Sequence, residues 1–163
     1  MTTEQNGSYD LPAIKQALGE MVYQAASLEM VIRFAGELTA KNRADAKALS
    51  GMTAGQLLPA VAKLVKARTD KVTSEEVDEF EQIVNDAGPE LDSRNTYIHG
   101  AWGEENGALL AMNWKKGGTI RTRPLEVAAL EKLSAELLAL VNRTMEWSSA
   151  VIDRNPDLIR SQP

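Results

Sequence analysis

The 163-residue chain contains no cysteine and only one histidine, and each scarcity excludes a class of chemistry. Without cysteine there is no disulfide framework, no thiolate metal site and no cysteine nucleophile. A single histidine leaves mainly carboxylates to bind a metal, and the acidic residues between positions 75 and 81 are typical of a solvated helix face. We therefore expect neither a metal nor a cofactor. The lack of cysteine also fits a reducing compartment, so we expect a cytoplasmic protein.

Long apolar runs and an excess of positive charge are missing as well. No stretch approaches the roughly 20 apolar residues that span a bilayer, and the first eight residues resemble no export signal. We therefore expect no membrane association. The formal net charge of −5 argues against indiscriminate nucleic-acid binding. The length suits one domain, which we place at residues 1–163 with an ordered core at about 10–153 and frayed ends.

Two long amphipathic helices are predicted near the ends of the chain. Apolar residues recur at steps of three and four from residue 11 to 38, as expected for one buried helix face. A second stripe of this kind follows Pro124 and continues to Val151. These two helices are expected to frame a helical bundle.

Capping boxes predict two further helices between them. Thr53 with Gln56 predicts one helix start, and Thr73 with Glu76 predicts another. We expect the first of these helices to be shortened or kinked by a proline at position 59. The second is expected to break or bend at Gly88-Pro89 and to resume for a turn or two as far as Gly100.

The pattern changes between Trp102 and Arg123, where four glycines separate two short segments. We interpret the region as a β-hairpin that turns at residues 115–118. The predicted fold is therefore all-α, a bundle of four to five helices with a small β-hairpin insertion at about 102–123 before the last long helix.

The segment from Leu91 to His99 carries the clearest chemical signal. In a helix, Leu91, Arg94, Asn95, Ile98 and His99 fall on one stripe, which Leu91 and Ile98 are expected to direct inward. Polar residues on such a stripe should face either a partner carboxylate or a wet cleft. A histidine that transfers protons beside a guanidinium that binds phosphate can cleave RNA without a metal.

Arg94-Asn95 followed by His99-Gly100 resembles the R-x4-6-H motif of the HEPN superfamily. The resemblance covers roughly residues 10–153. It implies a bundle of four to five helices, a homodimer in which two motifs share one cleft, and a metal-independent endoribonuclease of a toxin or defence system. An RNA substrate and an antitoxin protein would be its partners. Some HEPN members are instead catalytically silent binding or scaffold modules, which is the alternative function.

The resemblance also implies roles for single residues. His99 would be the general acid and base, and Arg94 would bind the phosphate and stabilise the transition state. Asn95 and Tyr97 would bind substrate. HEPN toxins with a nucleotidyltransferase antitoxin have a tyrosine two residues after the histidine, where this chain has Ala101. That departure argues against regulation by adenylylation at this position.

Plainer interpretations of the same residues stay open. His99 could cap the helix end while Arg94 forms a salt bridge with Glu90, Asp92 or a glutamate of the first helix. The three tryptophans could stack on bases, but core or interface positions are more usual. Two basic sets could contact RNA, although we favour a solvated surface for both; they are Lys115, Lys116, Arg121 and Arg123, and Lys63, Lys66, Arg68 and Lys71.

Overall fold

Helices dominate residues 9–114 and 117–160, which are the part of the chain that the computed structural model describes. Of these described residues 71% are helical, which confirms the predicted helical class. Four helices are long and two are short: α1 (Leu11–Thr39), α2 (Arg43–Ala48), α3 (Ala54–Ala67), α4 (Ser74–His99), α5 (Val127–Arg154) and α6 (Asp157–Arg160). The short helices α2 and α6 were not expected from the sequence.

The two long helices predicted near the ends of the chain are confirmed as α1 and α5. The Asp10 side chain caps α1 by accepting a hydrogen bond from the Ala13 backbone N–H at 3.0 Å. Apart from Leu11, which is exposed, the predicted apolar stripes are largely buried, and α1 and α5 pack against each other. The N-terminal halves of α1 and α5 line one groove together, so the two helices run in the same direction.

Both capping boxes are present, and α3 and α4 begin where they predict. The helix does not break at Gly88-Pro89, because α4 continues without interruption to His99, whereas the alternative of a bend there stays a prediction. A proline removes only its own N–H bond to the preceding turn, and the buried residues Ala87 and Leu91 hold both sides of Pro89 against the core. The Ser93 hydroxyl donates to the Pro89 carbonyl at 2.8 Å. Pro59 likewise lies inside α3.

The two strands of the predicted hairpin are present, and a third strand that precedes them in the chain completes an antiparallel sheet. Its strands are β1 (Ala101–Glu105), β2 (Ala108–Trp114) and β3 (Ile120–Pro124), in the order β1-β2-β3. The missed turn is Asn106-Gly107, with φ of +52° and +77°. Asn-Gly with two positive φ angles is a strong two-residue hairpin signal. Residues 115 and 116 of the second turn lie outside the described residues.

One continuous hydrophobic core joins the long helices to the sheet. Trp147 of α5 lies in this core with its ring 4.6 Å from that of Phe80, and its indole N–H donates to the Glu76 carbonyl. The core interpretation of Trp147 is therefore confirmed. Helices α4 and α5 run in opposite directions, since Asp86 pairs with Arg143 and Glu76 with Arg154.

The chain after Arg154 does not fray immediately, contrary to the expectation. Leu158 of α6 is buried, and Asp157 forms an ion pair with Lys71 at 2.8 Å. The frayed ends expected at residues 1–8 and 161–163 lie outside the described residues. None of the described helices combines the length and apolar character that crossing a membrane requires.

Candidate functional site

The C-terminal turns of α4 carry every residue of the motif, but they do not present them as the sequence predicted. The expected inward stripe is wrong at its end, because Ile98 is 37% exposed and His99 is also exposed. The sheet packs on another side of these turns, where it covers Tyr97 and Thr96. The buried face of α4 therefore rotates away from His99 after Leu91.

Arg94 is held at the junction of α4 with α1. Its Nη2 group forms a short ion pair with the Glu29 carboxylate, and its Nη1 group donates to the Asn95 side-chain oxygen at 2.9 Å. The Arg94 and Glu29 side chains are 18% and 22% exposed. Among the described residues, buried Nε of Arg94 has no hydrogen-bond partner. The guanidinium is thus fixed in place and partly neutralised, while its buried Nε–H remains unpaired.

This contact matches one of the plainer interpretations of the sequence. A glutamate of the first helix was an expected partner for Arg94, and Glu29 is that residue. Asp92, another candidate, instead pairs with Arg121 of β3. Sequence patterns could not single out Glu29, because its position at the edge of the α1 stripe becomes significant only when α4 packs beside it.

Asn95 and Tyr97 lie in different surroundings. Asn95 is half-buried and orients Arg94 through its side-chain oxygen. Tyr97 is buried, its hydroxyl donates to the Pro124 carbonyl at 3.2 Å, and burial raises the pKa of its phenol. In this arrangement Tyr97 fastens β3 to α4. The substrate-binding role expected for Tyr97 stays a prediction, and a ligand could reach its ring only if the sheet moved.

His99 ends α4 on the surface. It makes no hydrogen bond or ion pair to any described residue, so both imidazole nitrogens are available to a ligand. The helix end is capped without it, because the Gly100 N–H donates to the Thr96 carbonyl and the Trp102 indole N–H donates to the Tyr97 carbonyl at 3.0 Å. The sequence did not suggest Trp102 as the cap.

Gly100 joins the motif helix directly to β1, and the junction is tight. A Cβ atom at this position would lie 2.3 Å from the Thr96 carbonyl oxygen and 2.5 Å from that of Met112. Real Cβ atoms do not approach backbone oxygens this closely, so only glycine fits. The position of His99 is therefore tied to the sheet as well as to the helix.

The basic residues of the second set are not one solvated surface. Lys66 pairs with Glu81 at the surface, as expected for an exposed cation. Arg68 is instead buried, and its Nη1 group donates to the Thr39 and Ala40 carbonyls at the end of α1. Of the hairpin set, Lys115 and Lys116 lie outside the described residues.

Carboxylates do not gather into a metal site within residues 9–114 and 117–160, where no group of three or more acidic or histidine side chains could hold an ion. In comparisons with protein-family models, curated proteins and solved structures, nothing matched this chain. The assignment of a function therefore depends on the geometry of Arg94, Glu29 and His99 and on the resemblance of the motif.

Proposed function

We propose that the protein is a metal-independent endoribonuclease of the HEPN type, with Arg94 and His99 as its catalytic residues. The observation that carries the proposal is the contrast between these two side chains. Arg94 is fixed by Glu29 and Asn95, whereas the only imidazole of the chain is exposed and unpaired within the described residues one helical turn further on. A cation held in place and an accessible proton-transfer group are the two components that phosphodiester cleavage needs once one phosphate contacts both.

The reaction needs no other participant than the RNA. His99 removes the proton of a 2′-hydroxyl, and the 2′-oxygen attacks the adjacent phosphorus as the bond to the 5′-oxygen breaks. A protonated imidazole then donates a proton to the leaving 5′-oxygen. Arg94 stabilises the additional negative charge on the non-bridging oxygens. The products carry a 2′,3′-cyclic phosphate and a 5′-hydroxyl.

The helix geometry favours a site made by two copies of the chain. At about 100° per residue, the five steps from Arg94 to His99 separate the two side chains by roughly 140° around the α4 axis. In a single copy, the Arg94 and His99 side chains therefore point in different directions. Two copies related by a two-fold axis can combine the Arg94 of each with the His99 of the other around one phosphate.

A face for the second copy lies next to Arg94. We define the α1 outer face as Val22, Tyr23, Met30 and Phe34, all exposed and all within about 120° on the helix. Monomeric proteins rarely leave such rows of large apolar side chains uncovered. Glu29 borders this face, so a dimer formed through it would bring a second motif towards the first.

Cleavage of labelled single-stranded and structured RNA in EDTA tests the proposal. We expect cleavage by the wild type, loss of at least a hundredfold in His99→Ala and Arg94→Ala, and 2′,3′-cyclic phosphate ends. Arg143→Ala, which removes an exposed ion pair with Asp86 on the α4–α5 surface, is the matched control and should retain activity. Cleavage that requires Mg²⁺ or survives His99→Ala would contradict the mechanism.

One observation favours the second candidate, a catalytically silent binding or scaffold module. Glu29 already neutralises Arg94, which is the arrangement expected of a structural ion pair. A protein of this kind would dimerise or bind a partner without cleaving any RNA. The two candidates differ in one measurement, because a module would leave the RNA panel intact in EDTA and in Mg²⁺ alike.

In the cell, the proposed nuclease would act as a toxin or as a component of a defence system. An antitoxin protein would then be its partner. Induced expression of wild-type protein in bacteria should then arrest growth and degrade RNA. His99→Ala should permit growth at the same protein level. Arrest by both proteins would contradict a catalytic toxin.

A further inference from the structure

A second site lies at the far end of the bundle from His99, where the end of α1 meets α2 and α6. An open groove of about 810 Å³ occupies this position. Three exposed cations line it, Lys41 and Arg43 at the start of α2 and Lys47 in its last turn. Because Arg43 and Lys47 are four residues apart in a helix, their side chains share one face.

Some charged residues of the groove have ion-pair partners, whereas its three exposed cations have none among the described residues. None of Lys41, Arg43 and Lys47 forms an ion pair with a described residue. Of the two acidic lining residues, Glu37 and Asp157, the latter is engaged by Lys71 at 2.8 Å, and this hydrogen bond holds the pKa of the Asp157 carboxyl below the usual range. In a chain of net charge −5, an open concave surface with three exposed cations favours anionic ligands.

The groove is built on a rigid base. Arg68 lies beneath it, buried, with its guanidinium bound to the Thr39 and Ala40 carbonyls and to the Asp70 carboxylate. These bonds fix the end of α1 against the end of α3. The three exposed cations above Arg68 are therefore available to a ligand while the chain beneath them is held in place.

We propose that this groove binds phosphate groups of the RNA backbone on one side of the cleaved bond. The inference rests on the proposed nuclease function and extends it to the substrate. Glu37, which lines the groove, follows Glu29 by eight residues on α1, or about 12 Å along the helix axis. An RNA strand whose reacting phosphate lies at Arg94 reaches Lys41, Arg43 and Lys47 within a few nucleotides.

Binding of a fluorescein-labelled 12-nucleotide single-stranded RNA tests the groove separately from cleavage. The measurement uses full-length His99→Ala protein, in which the probe stays intact. A variant of this protein that also carries three substitutions in the groove should bind the RNA about tenfold or more weakly at moderate salt. The substitutions are Lys41→Ala, Arg43→Ala and Lys47→Ala. They should also reduce the slope of log K against log salt by about 2, since each lost phosphate contact on a single strand is worth about 0.7.

A triple variant elsewhere on the surface is the matched control. Lys15→Ala, Lys63→Ala and Lys132→Ala remove the same charge from exposed positions outside the groove and should lower affinity far less. Equal losses in the two triple variants would contradict the proposed groove, as would an absence of RNA binding in the His99→Ala background. Wild-type protein that binds RNA through the groove but fails to cleave it would contradict the nuclease and leave the groove standing.

Discussion

At the scale of single residues, the pair of Glu29 and Arg94 links the motif helix to the rest of the bundle. Both side chains keep only about a fifth of their exposure, so removing one leaves a poorly solvated charge behind. The cost should lie below that of a fully buried pair, because some solvent screening remains. The same contact that stabilises the fold also sets the orientation of the guanidinium.

We predict that Glu29→Ala and Arg94→Ala each lower the free energy of unfolding by about 1–2 kcal/mol. The double variant should lose less than the sum of the two, with a coupling energy near 1 kcal/mol in urea unfolding. The cycle of Asp86→Ala and Arg143→Ala is the control, because those side chains are 46% and 41% exposed and should couple by less than about 0.5 kcal/mol. Equal coupling in the two cycles would show that Glu29 does not hold Arg94.

Glu90 gives a prediction for the dependence of stability on pH. Burial, followed by the charge of Glu136, raises the pKa of its carboxyl above the usual value. The folded state therefore binds this proton more tightly than the unfolded chain does, and stability is lost as the pH rises through the folded pKa.

We expect Glu90→Gln to remove that loss. At pH 7 the variant should be slightly more stable than the wild type, by less than about 0.5 kcal/mol, because Glu90 is only partly buried and solvent screens its charge. Below the unfolded pKa of about 4.3 the two proteins should melt together. Thermal melting at pH 4 and pH 7 measures both. A variant that is less stable at pH 7 would show that Glu90 makes a favourable contact instead.

At the scale of secondary structure, close packing at the end of α1 depends on one glycine. A Cβ atom on Gly36 would lie 2.6 Å from Leu49 and 2.7 Å from Val61, whereas one on Gly19 of the same helix would meet nothing within 4 Å. Gly36 thus allows α3 and the end of α2 to approach α1. Gly19 has no such function.

Substitution by alanine should change the free energy of unfolding in opposite directions at the two glycine positions. Gly36→Ala should lower the free energy of unfolding by about 1–3 kcal/mol, because the neighbouring side chains must move in a packed core. Gly19→Ala should raise it by about 0.5–1 kcal/mol, since alanine is the better helix former. Urea unfolding of both variants provides the measurement. A stabilised Gly36→Ala protein would mean that Leu49 and Val61 yield easily and that the contact does not restrict α1.

At the scale of the whole molecule, the α1 outer face remains uncovered in the single chain. We predict a homodimer at micromolar concentration, measured by sedimentation, and a monomer after Met30→Glu, because a carboxylate cannot be buried in an apolar interface without a partner. Met145→Glu changes another exposed methionine, on α5, and should leave the dimer intact. Dissociation by Met145→Glu rather than by Met30→Glu would place the interface on α5.

Local signals in the chain were sufficient to predict most of the helices. Both capping boxes lie where Thr53 and Thr73 predict them, because such caps involve residues only three positions apart. The apolar stripes of α1 and α5 are equally local in origin. The Asn106-Gly107 turn is a local signal as well. It predicts a hairpin whose first strand is β1, the strand that the sequence prediction lacked. The absence of a break at Pro89 has another origin, because tertiary packing overrode a local helix breaker.

What the sequence determined by itself is thus the helical class, the helix starts and the residue types of the candidate site. Only the tertiary structure decided how those residues are presented. The sheet covers Tyr97 and turns His99 to the surface, and the packing of α1 beside α4 selects Glu29 as the partner of Arg94. The physical reason is the distance along the sequence over which each interaction acts. Helix periodicity and capping act over three to eight residues, whereas Glu29 and Arg94 are 65 positions apart, and their pairing depends on how whole helices bury their apolar faces.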